Sequence, residues 1–174
     1  MKYFKKLEGE KVYLSPINPD DYEIYTKWLN DPDVTKYLTC HNKLVSLLGE
    51  KEFLEKFSCE EFNFGIINKN DDTLLGNIGL NDINYKDGTA SLGIFIGECN
   101  TFNKGYGTDA IKLIINFAFN ELRLHNIRLD VLEFNERAIH VYEKCGFKEY
   151  GRRHEAMYRD GKYIDLIEME IIKE

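Results

Sequence analysis

The chain has no excess of positive charge: 23 Lys and Arg stand against 30 Asp and Glu over 174 residues, a formal charge of -7. That balance opposes nonspecific attraction to phosphate backbones and favours cationic partners, so direct nucleic-acid binding is not expected. Paired cysteines are missing too. Cys40, Cys59, Cys99 and Cys145 lie far apart and form no CxxC motif, which suggests neither a zinc site nor a disulfide framework and reads as reduced thiols in a cytoplasmic protein. His41, His125, His140 and His154 offer no spacing suggestive of metal or triad chemistry, so no metal is expected. No apolar run approaches the roughly 20 residues of a membrane span. The opening "MKYFKKLEGEKVYLSP" is broken by charges every few residues, so neither a membrane segment nor a targeting segment is expected. Repeats and low-complexity linkers are absent as well. With 43% apolar residues, the length suits one domain over 1–174 with a sizeable core.

What is present reads as a series of short elements. "KVYLSPI" (11–17) has the composition of a strand, and "NPDDYEIYTKWLND" (18–31) follows with an Asn/Pro/Asp start and Tyr22, Tyr25, Trp28 and Leu29 at helical spacing. "DVTKYLTCHNK" fits either helix or loop, and "SLLGEKEFLEKF" fits a helix. Three strand-like segments come next, "EFNFGIINK", "LLGNIGLNDINY" and "TASLGIFIG", separated by the turn-rich "NKNDDT" and "YKDG", so consecutive strands should pair antiparallel. From Gly107 to Leu122 the residues Ala110, Ile111, Ile114, Ile115, Ala118 and Leu122 form one stripe at the helical period. "NIRLDVLEF" then reads as a strand parallel to "SLGIFIG", because a helix-length crossover joins them. "NERAIHVYEKCGF" is a helix with Asn135 as N-cap and Gly146 as its stop. The tail gives two strands around "RDGK", and the exposed edge of the last strand would permit a homodimer. The fold class is α/β (α+β): a mixed, mostly antiparallel sheet of about seven strands with one parallel pair and flanking helices.

Gly105 and Gly107 sit just before the long helix, where backbone N–H groups and the positive end of the helix dipole favour anions. A GxG before a helix also recurs by chance as a plain turn. "GYGTDA" formally satisfies the dinucleotide pattern G-x-G-x-x-A, with Glu133 near the end of the next strand where a ribose-binding acid belongs. That pattern needs its first glycine at the very end of a strand, however, and "ECNTFNK" intervenes here; the residues after Phe134 cannot complete a doubly wound sheet. The Walker A pattern fails because no Lys-Ser/Thr follows the second glycine.

"KGYGTDAIKLIINFAF" followed by "LDVLEFNERAIHVYEKCGF" resembles the paired signature motifs of the GNAT superfamily of N-acetyltransferases, particularly its ribosomal-protein N-acetyltransferase-like branch. The resemblance is strong over 90–150, and "LNDPDVTKYL" and "YRDGKYIDLIEM" extend it more loosely. It implies the GNAT fold and acetyl-CoA as cosubstrate, with the diphosphate taken by Asn103, Lys104, Gly105, Tyr106, Gly107 and Thr108 and with Phe102 in the cofactor set beside them. Phe102 stands where the family pattern usually has Gln or Arg. The resemblance also implies two splayed parallel strands, "LGIFI" and "LDVLEF", between which the pantetheine arm lies, so Phe95, Ile96 and Ala138 join the cofactor set.

Direct transfer to an amine requires no covalent nucleophile, and positioning alone supplies much of the rate. Asn135 and Tyr142 are seven residues apart on one helix and so share a face. The resemblance implies Tyr142 as the acid beside the sulfur and Asn135 near the cofactor arm; the plain alternatives are a core aromatic among Ala138, Ile139, Val141 and Cys145, and an N-cap. Cys145 should be a packed thiol. Glu98 is the candidate base, with Asp82 and Glu133 behind it, directly or through water. The acceptor is an amine on a small molecule or a protein N-terminus: an α-amine on a protein or peptide is favoured, with polyamines the nearest alternative. Its pocket would be lined by 20–57 and the closing hairpin. A coenzyme A-binding domain without catalysis is the reading from another class.

Overall fold

The computed structural model describes residues 2–39, 42–60 and 62–174, so the expectations for Cys40 and His41 lie outside the described residues. Two strands open the chain, β1 (Leu7–Glu8) and β2 (Val12–Pro16). Helices α1 (Tyr22–Leu29), α2 (Pro32–Thr35) and α3 (Leu47–Phe57) follow, the first behind a 3-10 turn at Pro19–Asp21. Then come β3 (Asn63–Asn68), β4 (Leu74–Asn84), β5 (Thr89–Ile96), α4 (Tyr106–Asn120), β6 (Asn126–Leu132), α5 (Glu136–Lys144), β7 (Lys148–Arg159) and β8 (Lys162–Ile172). The strands form an eight-stranded sheet in the order β1-β2-β3-β4-β5-β6-β8-β7, in which β5 and β6 are parallel. The expected α/β class holds. The eighth strand is β1, whose two residues carry too little periodicity to be seen in the sequence.

One expectation needs correcting. The last strand, β8, is an inner strand, paired with β6 from Asn126↔Ile172 to Leu132↔Leu166 and with β7 on its other side. It therefore has no free edge to offer a second copy, and the edge positions belong to β1 and β7.

Local sequence explains where the helices start. The Asn18 side chain accepts from Asp20 N–H (3.1 Å), and that of Ser46 accepts from Gly49 N–H (3.0 Å) at the head of α3. Asp31 accepts from Asp33 N–H (2.9 Å), and Pro32 supplies a preset φ in the first turn of α2. In α5, Asn135 is the N-cap, and the chain leaves the helix through Gly146 at φ +98°.

Contacts divide the chain into two compact units, Met1–Gly79 with Ile94–Ile114 and Leu80–Gly93 with Ile115–Glu174. In the first, Tyr25 and Trp28 of α1 and Leu54 of α3 are buried with Tyr13, Ile17, Val34, Ile67 and Leu74. In the second, Leu132, Ile164 and Leu166 form a cluster against Met157. Ile127, Leu129, Phe147 and Met169 are also buried there.

Glu50 of α3 is an exception within the first core. It is 4% exposed, and its Oε1 has no hydrogen-bond partner among the described residues. Burial raises its pKa above the usual glutamate value. In the unfolded chain Glu50 ionises as pH rises through its ordinary pKa while the folded protein still holds the proton, so its contribution to stability is largest in acid and falls toward neutrality. The melting temperature of wild type minus that of Glu50→Gln should accordingly be greater at pH 4.5 than at pH 7. A difference that grows with pH would contradict this.

Candidate active site

In the first unit, β5 ends at Ile96, a 3-10 turn follows at Cys99–Thr101, and the chain reaches α4 through Phe102, Asn103, Lys104 and Gly105. Asn103 (φ +61°) and Gly105 (φ +84°) both take left-handed backbone. Asn tolerates that conformation through its short polar side chain, and Gly through having none. Asp109 N–H donates to Gly105 O (3.0 Å), closing the first helical turn. Tyr106, Gly107 and Thr108 therefore form the first turn of α4, which carries the positive end of the helix dipole. A Cβ on Gly107 would meet Ile94 Cδ1 at 3.9 Å, an ordinary contact, so this glycine is not forced by crowding.

Sequence reasoning passed over two residues here. Asp109 looks like an ordinary acidic residue in a first helical turn. Its carboxylate instead accepts from the N–H groups of Lys11 (2.8 Å) and Glu10 (3.4 Å) in the turn between β1 and β2 and of Val12 (3.0 Å) at the start of β2. Lys11 reaches back, its Nζ donating to Lys104 O at 2.7 Å. Residues almost one hundred positions apart are thus clamped at two points, and nothing in the local pattern announces it. Asp109→Ala removes the acceptor shared by these amides and should cost about 1–3 kcal/mol, read by urea unfolding.

Phe95 and Ile96 end β5 beside the same loop and are half-buried. Phe95 packs against Trp28 (centroids 5.8 Å apart) and Tyr25 (6.4 Å). Trp28 Nε1 donates to Glu98 Oε1 (2.9 Å), and Lys27 Nζ lies 3.7 Å from the same oxygen. The candidate base is thus held by two donors. Asp82 lies in β4 at φ +50° with an exposed side chain. The β5–β6 register runs through Thr89↔Asn126, Ala90↔Ile127 and Ser91↔Arg128, whereas β6 continues to Leu132 and β5 to Ile96.

In the second unit, α5 carries Asn135, Ala138 and Tyr142. The Asn135 side chain accepts from Ala138 N–H (3.3 Å), the capping role expected from its position. Ala138, Ile139 and Val141 are only half-buried, and Tyr142 is the buried residue of the helix. Its ring packs edge-on against Phe147 (5.9 Å), and burial pushes its phenol pKa up to about 12. Cys145 is a half-buried free thiol. Glu133 Oε1 accepts from Asp165 N–H (2.9 Å), which commits that oxygen to the β6–β8 region. His140 is exposed on α5, and His154 Nδ1 lies 3.0 Å from Asp165 Oδ2. The structure therefore gathers Phe95, Ile96, Glu98 and 102–108 in one unit and Asn135, Ala138 and Tyr142 in the other.

The family model described as an acetyltransferase (GNAT) domain matches residues 11–148. The chain belongs to the GNAT acetyltransferase family and is an acyltransferase of the N-acetyltransferase kind. It is 31% identical over 160 residues to the probable N-acetyltransferase YjcK of Bacillus subtilis, covering 83% of this chain and 84% of that one. It is 35% identical over 100 residues to spermidine N(1)-acetyltransferase of Vibrio cholerae, covering 58% of this chain and 57% of that one. A crystal structure of spermidine N-acetyltransferase from Vibrio cholerae in complex with CoA and spermine superposes with TM-score 0.82 at 26% identity, covering 93% of this chain and 95% of that one. The mostly antiparallel sheet and the family match set aside the dinucleotide reading of "GYGTDA".

Proposed function

We propose that this N-acetyltransferase takes its acetyl group from acetyl-CoA and transfers it directly to a primary amine on a cationic small molecule of the polyamine class. The observation that carries the acceptor is the likeness to a spermidine N-acetyltransferase solved with CoA and spermine. The formal charge of -7 agrees with it. The ribosomal-protein-like motifs read from the sequence favour a second acceptor, the α-amine of a protein or peptide.

The residues present fit the donor. Gly105 and Gly107 leave backbone at the open end of α4 bare of side chains, as close approach by a diphosphate requires. On this reading Asn103, Lys104, Gly105, Tyr106, Gly107 and Thr108 hold the diphosphate, with Phe102 packing beside it and Phe95 and Ile96 along the arm. Acetyl-CoA supplies an activated thioester. Tyr142 supplies the proton that the departing thiolate needs; a phenol with a pKa of about 12 keeps that proton throughout the neutral range. Glu98 takes the proton released by the amine through water. Asn135 fixes the start of the helix that carries Tyr142.

The test is coenzyme A release from acetyl-CoA with separate pools of polyamines, N-terminal peptides, aminoglycosides and amino acids. Release in the polyamine pool that collapses in Tyr142→Phe is expected. Release with peptides alone would replace the acceptor by the second reading. Measurable acetyl-CoA binding with silence in every pool would favour a binding domain without catalysis.

A further inference from the structure

Resting on the acetyl-CoA reading above, we propose that Lys11 is the cationic member of the diphosphate cradle, delivered to it by the turn between β1 and β2. Its ammonium donates to the carbonyl of Lys104, the residue before Gly105, at 2.7 Å. A Cβ on Gly105 would stand 3.1 Å from Lys11 Nζ, so the bare glycine lets the ammonium lie against the cradle backbone. Among the described residues no carboxylate pairs with Lys11, whereas the neighbouring Lys69 is paired with Glu8 at 2.8 Å. An ammonium has three donors, and the Lys104 carbonyl uses one of them.

Asp109 explains how the lysine is kept there. A carboxylate in the first turn of an anion-binding helix would repel a diphosphate, yet this one faces the amides of Glu10, Lys11 and Val12. A Cβ on Gly9 would fall 2.5 Å from Asp109 Oδ2, so the turn lies directly on the carboxylate. The acid thus anchors the backbone of Lys11 to α4, and the lysine side chain returns positive charge to the loop. The cradle amides are neutral donors, and a charged donor beside them strengthens and localises the hold on phosphate oxygens.

The test is titration of coenzyme A and dephospho-coenzyme A into wild type, Lys11→Met and Lys11→Arg, with S-acetylpantetheine as a donor that lacks the diphosphate. Lys11→Met should weaken both coenzyme A forms roughly five- to twentyfold, the range between an exposed ion pair and a charge-assisted hydrogen bond, and flatten the salt dependence of binding. Lys11→Arg should restore most of the loss, and the KM for S-acetylpantetheine should shift by less than about twofold in Lys11→Met, since no phosphate is there to lose. Unchanged coenzyme A affinity in Lys11→Met would overturn the assignment. So would an equal loss with S-acetylpantetheine, which would mark a loop support, or a loss confined to intact coenzyme A, which would mark a contact to its 3'-phosphate. Failure of wild type itself to bind coenzyme A would instead overturn the acetyl-CoA reading on which the proposal stands.

Discussion

Tyr142→Phe is expected to lower turnover by about 10²–10⁴-fold, the usual worth of a positioned proton donor, while acetyl-CoA affinity changes less than about twofold. The substitution removes one oxygen and keeps the ring, which is 8% exposed and packed edge-on against Phe147. Among the described residues no hydrogen bond is made to the Tyr142 hydroxyl, so its loss orphans no donor or acceptor, and the melting temperature should move little. A core role and an acid role therefore separate cleanly. Equal turnover in the two proteins would leave Tyr142 as packing alone. Turnover measured by thiol release, set beside acetyl-CoA binding by calorimetry, decides between them.

Gly76→Ala is expected to be among the most damaging single-carbon changes in the first unit. A Cβ at Gly76 would lie 1.9 Å from the carbonyl oxygen of Phe95 and 2.9 Å from Ile96 Cα. Both are backbone atoms of β5, so no rotamer change relieves the clash and the strand itself must shift. Tyr25 Oη also donates to Gly76 O at 3.4 Å, a contact that a shift of β4 would disturb. Overpacking typically costs about 1–3 kcal/mol, and a backbone clash falls at or above the top of that range. At roughly 2–4 °C per kcal/mol for a chain of this size, the melting temperature should drop by about 6–12 °C. Because Phe95 and Ile96 are also proposed to line the cofactor arm, coenzyme A affinity should fall with it. Gly97→Ala should be comparably damaging, because its Cβ would lie 2.0 Å from the Trp28 indole, a ring 1% exposed, packed on Phe95 and tied through Nε1 to Glu98. If Gly76→Ala melts within about 2 °C of wild type, β5 is more yielding than its contacts indicate.

Local order was largely legible because it depends on residues close in sequence. The period of Ala110, Ile111, Ile114 and Ala118 locates α4, and all four are buried. Leu122, placed on the same stripe, lies beyond the end of the helix at Asn120 and is half-buried, with Leu124 buried instead. Asn135 and Gly146 bound α5 as their capping chemistry requires. The short turns between β3, β4 and β5 gave their succession, and a helix-length crossover gave the parallel pair.

The sequence by itself determined α1, α3, α4 and α5, the Asn135 and Gly146 bounds of α5, the glycine pair at the head of α4 and the Asn135 to Tyr142 spacing, because each is written within a few turns of chain. Only the tertiary structure decided that β8 lies between β6 and β7, that Gly76 must be bare beneath Phe95, and that Asp109 and Lys11 clamp the start of α4 and the loop before it to the first hairpin. Those features join residues tens of positions apart, and no local period or propensity records which distant backbone will arrive at a given atom.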